Sequence, residues 1–127
     1  MEQYLIDTNI ISYYFSASLS EDALRFIDSV VDDIPNLSVI SQIELLCWKT
    51  DSAKEQQVKE FIADSTVFYI TADIITNCVK IRRNKKIKTP DAIIAATALS
   101  HRLTLITNNE KDFSGINGLK VLNPFVI

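Results

Sequence analysis

The stretch YLIDTNII, residues 4–11, holds two short apolar runs parted by an acid. Tyr4, Leu5 and Ile6 have the aromatic and branched character of a buried strand. The run stops at Asp7, and an acid followed by Thr8, Asn9, Ile10 and Ile11 suits the start of a helix. A strand that ends on an acid and turns directly into a helix is the first half of a β–α unit.

The pattern recurs. Short runs rich in β-branched and aromatic residues lie at Leu37–Ile40, Val67–Ile70, Leu103–Thr107 and Leu119–Leu122. Longer stretches with helical spacing separate them. Residues 20–33, SEDALRFIDSVVDD, place Ala23, Phe26, Ile27, Val30 and Val31 on one face. Residues 41–49, 53–63, 72–84 and 90–101 follow the same spacing. Strands alternating with helices imply right-handed crossovers and a parallel sheet covered on both faces. There is no repeat, linker or low-complexity tract, so residues 1–127 are expected to form one α/β domain with five strands.

Composition removes several functions. The hydrophobic content of 47% supports a folded domain, and a net charge of −3 gives no global attraction to nucleic acid. The two glycines, Gly115 and Gly118, lie near the C-terminus, so neither a P-loop nor a dinucleotide-binding turn is available. Cys47 and Cys78 lie far apart and are expected to be reduced, buried thiols. His101 is the single histidine, which argues against a zinc site and leaves any histidine-based triad resting on one residue. Glu2 and Asp7 bracket the first apolar run, unlike a signal peptide, and AIIAATAL at 92–99 is too short to span a bilayer. A soluble, cytoplasmic protein with no membrane association is expected.

Three acids fall at helix starts. Ser41 is a candidate cap with Glu44 in the first turn, and Thr89 is a candidate cap with Pro90 first in the helix and Asp91 next. Asp7 follows the first strand in the same way. Singly, each has an ordinary account as a cap or a complement to the helix dipole. Together they fall along one edge of a parallel sheet, where ligands bind. Like charges ~4 Å apart repel by roughly 4 kcal/mol per pair at an effective dielectric near 20. A divalent cation removes that cost, and oxygen ligands without histidine select Mg²⁺ or Mn²⁺. TNNEKDF, residues 107–113, ends the fourth strand near the same edge. It is a polar turn opening a short helix, in which Asn109 offers a carbonyl oxygen and Asp112 a further carboxylate. Asn9 and Thr107 are candidates to hydrogen-bond the carboxylates from behind.

YLIDTNII, SQIELLCW with Glu44, KTPDAIIAATAL with Asp91 and LITNNEKDF together resemble the PIN-domain nucleases, and most closely their VapC-type toxins. The resemblance spans almost the whole chain. It implies a three-layer α/β/α sandwich around a mostly parallel five-stranded sheet ordered 3-2-1-4-5. It also implies a magnesium-dependent endoribonuclease, with the metal held by Asp7, Glu44 and Asp91. A small antitoxin partner and a homodimer follow from it as well. The family's fourth acidic position often reads T-x-D, where this chain has Asn109, which leaves Asp112 as the substitute ligand. The alternatives are a catalytically inactive PIN-like module that binds RNA or protein, and a metal-dependent phosphatase or phosphoacceptor domain. Against the latter, Asp7-Thr8-Asn9 has no second acid beside the first.

Before Asp91 runs RRNKKIK, residues 82–88, in which Arg82, Arg83, Lys85, Lys86 and Lys88 are basic. The run fits RNA phosphates, and equally a solvated helix end whose cations complement the dipole. Ile11, Tyr14 and Phe15 form an apolar stripe expected to pack in the core.

Overall fold

Every strand is short, and every one runs parallel to its neighbours. The computed structural model describes residues 2–127. The strands are β1 (Tyr4–Ile6), β2 (Asn36–Ser38), β3 (Thr66–Phe68), β4 (Thr104–Ile106) and β5 (Val121–Leu122), arranged in the order β3-β2-β1-β4-β5. The helices are α1 (Thr8–Phe15), α2 (Glu21–Asp32), α3 (Val39–Cys47), α4 (Ser52–Ala63), α5 (Ala72–Asn84), α6 (Thr89–His101) and α7 (Glu110–Phe113), followed by a 3₁₀ turn at Pro124–Val126.

Strand alternation builds two cores. Leu5 of β1 and Leu105 of β4 point into a layer formed by Ile74, Cys78 and Ile81 of α5, by α6, and by Phe113 of α7. Their neighbours Ile6 and Ile106 point the other way, onto Ile10 and Ile11, Ile27 and Val30, Leu45, and Val58 and Ile62. The period-two alternation thus makes the three-layer sandwich. Ile11, Tyr14 and Phe15 belong to this second core, where Phe15 meets Phe61 edge to face at 5.4 Å between ring centres. AIIAATAL is the buried centre of α6, where Ala92, Ile94, Ala95, Ala96 and Ala98 are sealed against α5 and the sheet. Its small side chains let those elements approach closely. Among the described residues, no helix is long and apolar enough to cross a membrane.

The strand order reverses beside β1. The chain passes from β1 outward through β2 to β3, then returns to place β4 on the other side of β1. The carboxyl ends of β1, β2 and β4 therefore surround one crevice, the position at which open α/β sheets bind ligands.

Three local expectations change. Ser41 does not cap α3: that role falls to Ser38, whose Oγ accepts from the Ile40 amide at 3.1 Å. The β-branched Val39 and Ile40 extend a strand in sequence but form the first helical turn once Ser38 caps it. Ser41 consequently lies inside the helix and is buried, and Glu44 stands in the second turn, outside any capping box. Thr89 likewise is the first residue of α6, with Lys88 at the cap position and Pro90 second. Of the two thiols, Cys78 is buried but Cys47 is exposed.

Candidate active site

Asp7 stands where β1 becomes α1. Its amide still belongs to the sheet, donating to the Ile106 carbonyl at 2.9 Å, while its own carbonyl accepts from the Ile10 amide. The side chain is only 5% exposed. Each carboxylate oxygen receives one hydrogen bond: Oδ1 from the Thr8 amide at 2.8 Å and Oδ2 from the Thr107 hydroxyl at 2.7 Å. One lone pair on each oxygen is left for another partner. Thr107 in turn accepts from the Asn109 amide at 3.0 Å, so the end of β4 is tied to the end of β1 through this carboxylate.

Glu44 reaches the crevice from α3. Thr8 Oγ1 donates to Glu44 Oε1 at 2.6 Å and lies 2.8 Å from the buried Ser41 Oγ. A hydroxyl carries one hydrogen, so donation to Glu44 leaves Ser41 as the donor in the second bond. Thr8 thus holds Glu44 to the helix that Asp7 caps. Asn9 plays no part in this, because it is exposed and, among the described residues, no hydrogen bond joins it to an acid. Thr8 and Ser41 are the residues that sequence reasoning passes over. In sequence Ser41 has the setting of a cap and Thr8 that of a spacer, and only the placement of α3 beside α1 brings them together.

Asp91 lies in the first turn of α6 and is half-buried. Asp112 lies in α7, where Asn109 Nδ2 donates to its Oδ2 at 2.8 Å. Asn109 therefore orients a carboxylate, with its amide hydrogen pointed at the acid.

Asp7 and Asp91 each sense neighbouring carboxylates. Burial pushes the Asp7 carboxyl up to about 6, the Thr107 and Thr8 hydrogen bonds oppose that, and the charges of Asp91 and Glu44 raise it further. Burial likewise raises Asp91, helped by Asp112 and Glu44 and opposed by Lys88. Two carboxyls held above their ordinary range by desolvation and like charge mark a candidate functional site. Among the described residues, however, no group of three or more His, Cys, Asp or Glu side chains is gathered closely enough to hold an ion as it stands. The donors are all oxygen and mutually repulsive, which fits a hard divalent cation.

The basic run divides in two. Lys85 donates to the backbone carbonyls of Ser114 at 2.8 Å and Lys111 at 3.3 Å, and Arg82 Nε donates to the Ile87 carbonyl at 3.1 Å. Arg82, Arg83, Lys86 and Lys88 are exposed, and Lys85 is half-buried. His101 is exposed too, its ring against Phe68 with centres 4.1 Å apart.

A parallel sheet ordered 3-2-1-4-5, with acids at the carboxyl ends of its central strands, defines a class. The family model of the PIN domain matches residues 4–119, and the chain belongs to the PIN domain family. Over 54 residues, 42% of this chain and 39% of the relative, it is 48% identical to Ribonuclease VapC1 of Rickettsia felis. The match thus reaches less than half of that relative's length. Among solved structures, a chain of a toxin–antitoxin complex from Klebsiella pneumoniae is 34% identical with a TM-score of 0.79, over 96% of this chain and 98% of that one. A chain of FitAcB from Neisseria gonorrhoeae is 25% identical with a TM-score of 0.82, over 98% of this chain and 100% of that one.

Proposed function

We propose that this chain is a magnesium- or manganese-dependent endoribonuclease and the toxin of a toxin–antitoxin pair. The observation that carries this reading is the buried Asp7, whose carboxyl is raised to about 6 by burial and by the neighbouring Asp91 and Glu44 charges. A protein that keeps such a repulsive cluster at its sheet switch point has a use for the charge. Membership of the PIN domain family, the identity to a VapC1 ribonuclease and the likeness to a chain of a toxin–antitoxin complex support the same conclusion.

Asp7, Asp91 and Glu44 would hold the cation, with Asp112 as the fourth carboxylate. When bound, the cation supplies a Lewis acid beside the scissile phosphate. The protein does the rest by position. Thr107 and the Thr8 amide fix the two oxygens of Asp7, the Thr8 hydroxyl fixes Glu44, and Asn109 fixes Asp112. These donors favour the ionised carboxylates and aim them before RNA arrives, which lowers the cost of ordering them. Arg82, Arg83, Lys86 and Lys88 lead up to Asp91 and would take RNA phosphates without reading bases. A small antitoxin and a second copy of the chain complete the assembly in the cytoplasm. Exposed apolar pairs, Ile43 with Leu46 on α3 and Ile75 with Val79 on α5, offer surface for such partners.

The inactive-module reading has one feature in its favour, the amide of Asn109 at a position often acidic in the family. Asp112, to which that same amide donates, would supply the missing carboxylate. Sequencing of RNA ends after brief expression separates the two. Wild type should generate new cleavage ends that Asp7→Asn does not, and identical ends from both proteins would reject the nuclease.

A further inference from the structure

α7 is a helix of four residues, Glu110–Phe113. A single turn of helix is not stable alone, because fixing its backbone costs more than its few hydrogen bonds return. Its position is therefore set from outside, and three anchors do so. Phe113 is buried in the core shared with α5 and α6. At the N-terminal end, the Asn109 amide donates to Thr107 and its side chain to Asp112. At the C-terminal end, Lys85 Nζ donates to the carbonyls of Ser114 at 2.8 Å and Lys111 at 3.3 Å. The last carbonyls of a helix have no backbone partner within it and carry the negative end of its dipole, so an ammonium there complements them, beside the Ser114 hydroxyl that also donates to the Lys111 carbonyl at 3.1 Å.

Lys85 is also the first residue beyond α5, in the short link that leads into α6 and Asp91. Arg82 stiffens the same link through the Ile87 carbonyl. The link before Asp91 and the turn that carries Asp112 are thereby joined, and α6 and α7 lie against each other.

We infer that Lys85 is a positioning residue of the acidic site: its ammonium clamps α7 to the link before α6 and so fixes Asp112 relative to Asp91. Lys85 serves the site without touching RNA, unlike its exposed neighbours. This inference rests on the metal-site reading given above. Residues that orient ligands from behind typically change metal affinity by about ten- to a hundredfold when removed.

The test is calorimetric titration of the metal-free full chain with Mn²⁺ alone, beside RNA binding measured in chelator. Lys85→Met keeps a four-atom apolar stem and loses the donor, and Lys80→Met removes one charge five residues earlier, on α5, as the control. Lys85→Met should weaken Mn²⁺ binding by at least about tenfold, leave RNA binding in chelator at the wild-type level, and be partly restored by Lys85→Arg. Lys80→Met should bind Mn²⁺ like wild type. Should Lys85→Met fail to fold, Lys85→Gln, too short to span both carbonyls, should show the same loss. Unchanged Mn²⁺ affinity in the folded variant, or a loss confined to RNA binding, overturns the role of Lys85 while leaving the metal site standing. A wild-type chain that takes up no Mn²⁺ defeats both.

Discussion

Thr107 donates its hydroxyl to Asp7 across 2.7 Å, although the two are 100 residues apart in sequence. The bond is buried and joins the ends of the two central strands at the crevice. Thr107→Val keeps the shape, removes the donor from Asp7 and removes the acceptor from the Asn109 amide. Leaving such groups unpaired costs about 1–3 kcal/mol. Urea unfolding should show a loss in that range, with Thr107→Ser retaining most of the stability. Equal stability of Thr107→Val and wild type would mean that water replaces the hydroxyl and that the tie is incidental.

Stability of the metal-free protein should depend on pH through Asp7. Its folded carboxyl titrates at about 6, against an ordinary value of 3.8. Between these values the unfolded chain has lost a proton that the folded chain still holds, so folding stability falls as pH rises. The contribution is complete below about pH 4 and is lost as pH passes through about 6, for a total on the order of 3 kcal/mol. Asp91, also raised, adds to the same slope. A divalent cation favours the ionised carboxylates and should flatten or reverse it. Unfolding in chelator at intervals from pH 4.5 to 7.5 checks this, and stability that rises with pH in chelator would remove the raised carboxyl from the account.

RNA affinity should depend on the exposed basic residues. Arg83→Ala with Lys86→Ala should weaken binding at low salt and flatten the dependence of log K on log salt by about 0.7 for each single-strand phosphate no longer neutralised. Filter binding in chelator across a salt series measures this without cleavage. An unchanged slope would make the run a solvated helix end.

Much of this architecture was legible in sequence because β-branched strands and amphipathic helices carry different periods. The run at 72–84 coincides with α5, and the others fall within a few residues of their helices. The misplaced start of α3 has a specific cause. Val39 and Ile40 have strand character, and a cap at Ser38 outweighs it by satisfying a free amide. Asp7, Glu44, Asp91 and Asp112 stood out as acids beside strand and helix ends. The meeting of Thr8 with Ser41 and Glu44 did not, because it joins residues 33 and 36 positions apart. The division of the basic run was equally hidden, since Lys85 and Lys86 differ only in where their side chains find partners.

One cation shared by four carboxylates is the central claim. Its most direct test is the melting temperature of wild type and Asp91→Asn titrated with Mn²⁺ at neutral pH. Wild type should rise with concentration, gaining about 2.7 kcal/mol at a hundred times the dissociation constant, and Asp91→Asn should stay flat. A wild-type chain that ignores the ion, or an Asp91→Asn chain that rises in parallel with it, would contradict the claim.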